Sequence, residues 1–515
     1  MCGFIGYFGE NPTEKISEEM IEGIFNRGEV TEEFLNDELS IVVRRLKIVD
    51  RENAIQPFIS DDKRYILIYN GEIYNDKEMR KSLLREYNFL TNSDTETLFA
   101  MLILYGKEHL KLLNGQFSFV FFDLKKKSFI SGRDHLGVTP LYYTRDGVNI
   151  YFASTIKALT PINKEIRELE PGCTLTNNLD IEKYYEVSFN PVKNSPESVI
   201  GQVRSVVVQA IKNRIATDLP IGVIYSGGID SSIVLHIASQ YHKNVTAFTI
   251  GTKGSEDFAI SKKFCLERNI PQVIISLDPS DLSCKAVRDA IKQTELTEYL
   301  DIINAVVTLP LFREINKRGI KVTLSGDGSD ELFCGYDMYD RIRESDETDL
   351  YEYKLKHLGR TELQRVDRAA GNYQVENRVP FLDINVVEMA LRLEKKWKIN
   401  KNIEKWCLRK AFENELPEYI HSRVKNPLSH SSGFHEIVRY KKILFKRYYN
   451  QCKYTLHDNI KRDFSITLKK NHYKIQNAFW TREVNKDYSM LHKIGELIKG
   501  FSRVYIISSV SKKEE

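Results

Sequence analysis

The first 190 residues contain short apolar runs of the kind that predict β-strands. β-Branched and aromatic residues are concentrated in SIVVRRLKIVD, YILIYNGEIYN, FSFVFFD and LYYTRDGVNIYFAS, and NG and DG turns punctuate them. Two stretches with helical spacing interrupt these runs, SEEMIEGIFNRG and DTETLFAMLILYGKEHLKLL. The pattern therefore predicts a β-rich first domain with a few helices over residues 1–190.

The pattern changes after a turn-rich segment, NPVKNSPESV, near residue 195. The apolar run LPIGVIYSGG leads into the helical IDSSIVLHIASQY, and NVTAFTIG, PQVIISL and KVTLSGDG are further β-branched runs separated by helical segments. This alternation is typical of a parallel sheet with helices on both faces. We predict a second, α/β domain over residues 197–515, whose last part, from about residue 340, is mainly helical and basic.

Composition narrows the class of protein further. The 515 residues carry 75 Lys+Arg against 71 Asp+Glu, a formal net charge of +4, which does not favour binding to nucleic acid or to a membrane surface. No apolar run reaches the ~18–20 residues of a membrane span. The seven cysteines form no CxxC pair, which argues against a disulfide framework and predicts a cytoplasmic protein. Nothing in the sequence indicates whether the chain forms a homo-oligomer.

The stretch IYSGGIDSS, residues 224–232, predicts a phosphate-binding loop. A buried strand ends at two glycines, Gly227 and Gly228, and a helix follows whose first turn holds Asp230. Glycines let a ligand approach the backbone, and a helix N-terminus offers unpaired N–H groups to an anion. The lysine of a Walker loop is absent, and Asp230 could hold Mg²⁺ against the phosphates. An ordinary strand–helix turn would also use glycine, so the loop alone does not decide.

A second strand end, LSGDGSDELFCGY, places three acids within five residues: Asp327, Asp330 and Glu331. Clustered carboxylates at the edge of a parallel sheet are costly unless a cation lies among them. A solvated acidic turn is the alternative. Because both loops belong to one predicted sheet, we favour a shared site at its edge.

Taken together, the motifs of this chain resemble those of the glutamine-hydrolysing asparagine synthetase family. In order they are MCGFIGYFG, RRLKIVD, NGEIYN, SDTETLF, GRDHLGVTPLYY, YSGGIDSS, LSGDGSDELFCGY, VDRAAGNYQVENRVPFLD and KWCLRKAF. The resemblance implies a class II glutamine amidotransferase domain, an α+β N-terminal-nucleophile sandwich of antiparallel sheets with flanking helices. It implies that an α/β adenylating domain of the pyrophosphate-loop type follows, with glutamine, ATP and aspartate as substrates and Mg²⁺ as cofactor.

In the first domain the resemblance implies a complete glutaminase site. Cys2 matches the nucleophile once Met1 is removed, and its own α-amine, with a pKa of about 7.7–8.0, can take the thiol proton. Asn70 and Gly71 match the oxyanion-hole pair. The residues implied to bind glutamine are Arg45, as the clamp on its α-carboxylate, Asn70, Gly71, and Glu72 and Asp94, around its α-amine.

In the second domain the resemblance implies an ATP site and an adenylation site. Asp327 matches an acidic position tied to adenylate formation, and Lys425 matches a basic residue near the α-phosphate or the leaving group. Asp230 and Asp330 match the Mg²⁺ ligands. The residues implied to bind ATP are Ile224, Ser226, Gly227, Gly228, Ile229, Asp230, Ser231, Ser232, Ile250, Ser325 and Gly326.

The segment expected to help bind the acceptor carboxylate is where the sequence departs most from the family. Relatives that amidate aspartate often carry Ser-x-Pro in the segment before LSGDG, whereas this chain has the mainly apolar EYLDIINAVVTLPLFREI, residues 298–315. A relative that amidates a different carboxylate is therefore the nearest alternative. A ring-closing enzyme resembling β-lactam synthetases is disfavoured because those lack the cysteine at position 2. A non-catalytic scaffold is disfavoured because both sets of site residues are intact.

Overall fold

The computed structural model describes residues 1–12, 15–193, 196–296, 299–342, 346–424, 432–434, 437–438 and 442–452. Its first part contains two six-stranded antiparallel sheets, ordered β10-β8-β9-β1-β3-β2 and β12-β11-β7-β6-β5-β4. The strands are β1 (Gly3–Phe8), β2 (Val30–Leu35), β3 (Leu39–Arg45), β4 (Phe58–Ile59), β5 (Tyr65–Ile73), β6 (Gly115–Asp123), β7 (Ser128–Arg133), β8 (Tyr142–Asp146), β9 (Asn149–Ala153), β10 (Ile166–Glu168), β11 (Cys173–Thr176) and β12 (Ile181–Lys183).

The two sheets pack face to face. Phe4 and Val43 of the first sheet share a buried cluster with Ile68 and Val120 of the second. The outer face of the second sheet is covered by α3, whose N-cap is Ser93. The helices of this part are α1 (Glu18–Glu22), α2 (Asp76–Lys81) and α3 (Asp94–Tyr105). The expected antiparallel sandwich with flanking helices is confirmed.

The second part is built on a five-stranded parallel sheet, ordered β15-β14-β13-β16-β17. Its strands are β13 (Ile221–Ile224), β14 (Val245–Thr252), β15 (Gln272–Leu277), β16 (Val322–Leu324) and β17 (Glu376–Arg378), and a separate hairpin consists of β18 (Ile399–Asn400) and β19 (Ile403–Glu404). The expected α/β fold is confirmed here as well.

Helices pack around this sheet and extend it. They are α4 (Pro196–Arg214), α5 (Ile229–Tyr241), α6 (Glu256–Glu267), α7 (Cys284–Thr294), α8 (Tyr299–Lys317), α9 (Ser329–Leu332), α10 (Asp337–Arg341), α11 (Glu347–Lys356), α12 (Gln364–Gly371), α13 (Ile384–Leu391), α14 (Lys395–Lys398), α15 (Trp406–Ala411) and α16 (Glu418–His421), and a last described helix covers Lys442–Cys452. A π-helical turn, Gly359–Leu363, precedes α12.

The strand order fixes where a ligand can bind. From β13 the chain first adds β14 and β15 on one side and later β16 and β17 on the other. Ligands of open parallel sheets bind outside the carboxyl ends of the strands at such a reversal. That point lies between the ends of β13 and β16, where the two loops singled out in the sequence begin.

The two parts share buried surface. Leu46 and Leu136 of the first part belong to the apolar cluster that surrounds α4 in the second. Buried polar contacts cross the same boundary, among them Asn114 to Asp383, at 2.9 Å. The second part is therefore positioned to contribute side chains to a site in the first.

Candidate active sites

Cys2 directly precedes β1 and lies beside the end of β3. Burial raises the pKa of its thiol, while the N-terminal ammonium, the backbone N–H of Leu46 and the charge of Arg45 act in the opposite direction. The carboxylate of Glu376 raises this pKa further. A thiol that keeps its proton needs a nearby base before it can act as a nucleophile.

Arg27 fixes the backbone of this cysteine. Its Nε donates a hydrogen bond of 3.0 Å to the carbonyl oxygen of Cys2. Its two terminal nitrogens donate to the two carboxylate oxygens of Asp367, each at 3.0 Å. Both side chains are buried. The position of the nucleophile is therefore tied to a residue of the second part.

Arg45, expected to bind the glutamine carboxylate, is held by a carboxylate of the protein. Its Nε donates to both carboxylate oxygens of Glu32, at 2.9 and 3.0 Å, and its Nη1 donates to the carbonyl oxygen of Arg51 at 3.1 Å. The guanidinium is thereby oriented near Cys2. A glutamine carboxylate bound there would share the guanidinium with Glu32.

Asn70 and Gly71 occupy β5 opposite the start of β6. The side-chain amide of Asn70 is fully buried, and neither its nitrogen nor its oxygen has a hydrogen-bond partner among the described residues. Gly71 has φ +154°, and a Cβ there would lie 2.1 Å from the carbonyl oxygen of Gln116. Because a buried amide without partners is costly, its placement suits a donor that is used during reaction.

The two predicted acids of this site have different surroundings. Asp94 accepts hydrogen bonds from the hydroxyl of Tyr69, at 2.7 Å, and the N–H of Ile73, at 2.9 Å, yet burial raises its pKa to about 6. Burial also raises the pKa of Glu72 well above its ordinary value, against the opposing charge of Arg378 at 3.2 Å. Both carboxyls can therefore gain from a cationic ligand.

Two residues of β17 complete this site, and the sequence analysis assigned them no role. The carboxylate of Glu376 lies 3.3 Å from the amino group of Met1, which is almost fully buried. Arg378 pairs with Glu376 at 2.8 Å and with Glu72. Both belong to the quoted motif VDRAAGNYQVENRVPFLD, but only the fold shows that this strand faces the first part.

The second site is a cleft of about 260 Å³ at the reversal of the parallel sheet. The loop after β13 forms one wall, and the loop after β16 forms another. Gly326 is packed so closely against the first loop that a Cβ there would lie 2.8 Å from the Cβ of Asp230. The predicted residues that line the cleft are Ile224, Ser226, Gly228, Ile229, Asp230, Ser231, Ser325, Gly326, Asp327 and Asp330.

Lys405 joins the two predicted metal ligands, although the sequence analysis gave it no role. Its fully buried ammonium contacts the carboxylate of Asp230 and lies 2.6 Å from that of Asp330. The two carboxylates thus converge on one cationic position. Two carboxylates completed by phosphate oxygens are the usual protein surroundings of Mg²⁺, so these residues fit the metal. Lys405 is the first residue of the quoted motif KWCLRKAF.

Asp327 and Ser325 are linked to β17. The hydroxyl of Ser325 donates to the carboxylate of Asp327 at 2.5 Å and accepts a hydrogen bond of 2.8 Å from the side-chain amide of Asn377. The side-chain oxygen of Asn377 accepts from the hydroxyl of Thr323 at 3.0 Å. One face of β17 therefore supports the cleft, while Glu376 and Arg378 on its other face support the site of Cys2.

Two family models match this chain. A family model described as a glutamine amidotransferase domain matches residues 1–214, and one described as asparagine synthase matches residues 202–352 and 343–446. Asparagine synthetase B [glutamine-hydrolyzing] of Escherichia coli (strain K12) is 31% identical over 435 residues, which cover 80% of this chain and 78% of that protein. This chain belongs to the glutamine-hydrolysing asparagine synthetase family.

Other members of the family match at a similar level. The asparagine synthetase [glutamine-hydrolyzing] of Sandersonia aurantiaca is 32% identical over 421 residues, 76% of this chain and 78% of that protein. Among solved structures, glutamine phosphoribosylpyrophosphate amidotransferase from B. subtilis, complexed with ADP and GMP, aligns with a TM-score of 0.31 and 15% identity, over 53% of this chain and 65% of that one.

Three of the residues predicted to bind ATP, Gly227, Ser232 and Ile250, are not among those that line the cleft. The hydroxyl of the buried Ser232 donates to the hydroxyl of Tyr225 at 3.3 Å. Lys425 lies outside the described residues. Within the described ranges there is no group of three or more His, Cys, Asp or Glu side chains that could hold a metal, and no helix long and apolar enough to cross a membrane.

Proposed function

We propose that this protein is a glutamine-dependent asparagine synthetase, which converts glutamine, aspartate and ATP into glutamate, asparagine, AMP and pyrophosphate. The observation that carries the proposal is β17: Glu376 and Arg378 on one face reach the Cys2 site, and Asn377 on the other reaches the ATP cleft. Two sites that share a strand suit an enzyme that makes ammonia in one place and consumes it in another.

In the first half-reaction the Cys2 thiol attacks the side-chain amide of glutamine. The proton of the thiol goes to the α-amine of Cys2, freed by removal of Met1, because burial disfavours spontaneous ionisation of the thiol. The developing oxyanion accepts hydrogen bonds from the amide of Asn70 and the backbone of Gly71. Ammonia leaves, and water hydrolyses the thioester to glutamate.

In the second half-reaction the side-chain carboxylate of aspartate attacks the α-phosphorus of ATP, and pyrophosphate leaves. The N–H groups at the start of α5 receive the phosphates. Mg²⁺ held by Asp230 and Asp330 would neutralise phosphate charge, and Lys405 would then be free to contact the phosphates. Ammonia attacks the acyl-adenylate carbon and AMP leaves.

The nucleophile is tested by Cys2→Ala, with Cys284→Ala as the matched control. Cys284 is a half-buried cysteine of α7, remote from both sites in sequence. We expect Cys2→Ala to abolish glutamate formation and glutamine-dependent asparagine synthesis while ammonium salts still support synthesis. Cys284→Ala should retain both activities. Glutamine-dependent synthesis by Cys2→Ala would refute the assignment.

The adenylation site is tested by Asp230→Asn, which keeps the size of the side chain. We expect loss of pyrophosphate release with either nitrogen source, because the carboxylate that holds Mg²⁺ is gone, whereas glutamate formation continues. Pyrophosphate is measured with aspartate and with a panel of other carboxylates. Unchanged pyrophosphate release by Asp230→Asn would show that Asp230 does not belong to the adenylation site. If the wild-type protein strictly required another carboxylate, that carboxylate and not aspartate would be the acceptor.

A further inference from the structure

One wall of the ATP cleft carries a cation that the protein leaves largely unused. Arg365, in α12, is 8% exposed and lines the cleft. Its Nη1 donates to the hydroxyl of Thr308 at 2.9 Å. Its Nη2 lies 4.0 Å from Asp327 and 3.8 Å from Glu362, beyond hydrogen-bond distance. Since guanidinium has five N–H donors, most of them have no partner among the described residues.

The other cations in or next to the cleft are held by more partners than Arg365. Lys405 lies between two carboxylates. Arg409 donates to Glu404 and to the carbonyl oxygens of His421 and Arg423. Arg423 donates to Glu256, Asp257 and the carbonyl oxygen of Ser226. Among the described cations that line the cleft, Arg365 thus makes the fewest hydrogen bonds to the protein and keeps the most donors for a ligand.

Helix α8 supplies the rest of this wall. Asn304, Thr308 and Leu311 line the cleft at a spacing of four and three residues, which places them on one helical face. The apolar residues that directly precede Asn304 and Thr308, Ile303 and Val307, are buried in the core. The segment that looked apolar in the sequence therefore presents an amide and a hydroxyl to the cleft.

The charges around Arg365 discriminate between possible anions. The carboxylates of Asp327 and Glu362 both lie within 4.0 Å of its Nη2, and Glu331 also lines the cleft. A phosphate group, with two negative charges, would be repelled by these acids unless a metal ion neutralised it, as proposed beside Asp230 and Asp330. A zwitterion would not be, since its carboxylate can pair with the guanidinium while its ammonium faces the acids.

We propose that Arg365 is the residue that selects the acceptor: it binds the α-carboxylate of an amino dicarboxylic acid, and Glu331 and Glu362 face its ammonium. This inference rests on the proposed function and adds the residues that recognise the acceptor. Arginine suits the task because its planar fork binds a carboxylate through two parallel hydrogen bonds. The side-chain carboxylate of the acceptor then remains free for adenylation.

The test compares aspartate with β-alanine, which lacks the α-carboxylate, and with succinate, which lacks the amine. The wild-type protein should form AMP much faster with aspartate than with either analogue. Arg365→Ala should raise the KM for aspartate roughly 10- to 100-fold, the value of a charged hydrogen bond. The preference for aspartate over β-alanine should fall by the same factor, and the KM for ATP should change little.

Two further variants separate binding from structure. Thr308→Val removes the hydroxyl that orients Arg365 and should raise the aspartate KM severalfold. Arg313→Ala, on an exposed position of the same α8, is the matched control and should leave both KM values unchanged. The melting temperature of each variant reports whether the second part, which holds all three positions, is still folded.

The outcomes distinguish this inference from the proposed function. A rise in the KM for ATP without one for aspartate would make Arg365 a phosphate ligand and overturn the inference. A wild-type preference for an acceptor without a second carboxylate would overturn it too, while leaving the two half-reactions in place. If no carboxylate yields AMP, the proposed function fails. The inference is then decided by whether aspartate raises the melting temperature of the wild type but not of Arg365→Ala.

Discussion

At the scale of single residues, Glu331 shows what the cleft imposes on a carboxyl group. Burial raises its pKa to about 7, with the charges of Glu362 and Asp330 adding to the effect and that of Lys354 opposing it. Its carboxylate accepts a hydrogen bond of 2.8 Å from the hydroxyl of Tyr336. The carboxyl of Glu331 therefore keeps its proton to a much higher pH than an ordinary glutamate, in the absence of a cationic ligand.

Glu331→Gln is expected to change stability in a pH-dependent way. The ordinary pKa of this side chain is 4.5. Between pH 4.5 and about pH 7, Glu331 has released its proton in the unfolded chain but retains it in the folded one, so stability falls as pH rises through this window. Glutamine does not titrate. Between pH 4.5 and pH 8.5, the free energy of unfolding of the variant should therefore rise by up to about 3 kcal/mol relative to that of the wild type.

Urea unfolding of the unliganded protein at both pH values measures this gain. Glu418→Gln, at a side chain that is 85% exposed, is the control and should behave like the wild type at both. A free-energy difference between Glu331→Gln and the wild type that is the same at both pH values would show that Glu331 ionises normally.

The residue scale also shows how far sequence reasoning reaches. The loop at Ser226–Ser231 could be predicted because its chemistry is local: a strand, two glycines and a helix start. The pair Asn70 and Gly71 was predicted only from the resemblance of its motif to the family. Lys405 and Arg365 could not, because their partners are set by packing. Lys405 is 175 residues from Asp230, and Arg365 is 57 residues from Thr308. Lys405 lies in a quoted motif and Arg365 directly precedes one, but the sequence assigned neither residue a role.

At the scale of elements, β17 is the most informative segment. Side chains alternate between the faces of a strand. In three residues the chain therefore presents Glu376 and Arg378 to the Cys2 site and Asn377 to Thr323 of β16 and to Ser325, which lines the ATP cleft. The sequence did not predict this strand, because three residues with two charges carry no recognisable strand pattern.

This alternation predicts opposite effects for neighbouring substitutions. Asn377→Ala removes the hydrogen bond that orients Ser325 toward Asp327, so ammonia-dependent synthesis should fall roughly tenfold while glutamate formation is retained. Glu376→Gln removes a carboxylate whose charge acts on the Cys2 thiol and which pairs with Arg378, so glutamate formation should fall while ammonia-dependent synthesis is retained. The two activities are assayed separately, and each variant serves as the control of the other. If both variants lost the same activity, the two faces of β17 would not serve separate sites.

At the scale of the whole molecule, the two parts are joined by a buried ionic network. Asp367 accepts two hydrogen bonds from Arg27 across the boundary and pairs with Arg368, which also pairs with Glu295 at 2.7 Å. Burial alone would raise the pKa of Asp367, but the two guanidiniums hold it below its ordinary value. The carboxylate is therefore charged, and its removal leaves buried cations behind.

Asp367→Ala should consequently loosen the junction and uncouple the two reactions. Leaving Arg27 without its buried partner costs about 3–5 kcal/mol and frees the contact that holds the Cys2 carbonyl. We expect a lower melting temperature and more glutamate formed per asparagine, because ammonia escapes between poorly aligned sites. The control is Asp218→Ala, which breaks the exposed pair of Arg51 and Asp218 across the same boundary and should cost less than about 1 kcal/mol. Equal ratios of glutamate to asparagine in both variants would show that the buried network stabilises the fold without aligning the sites.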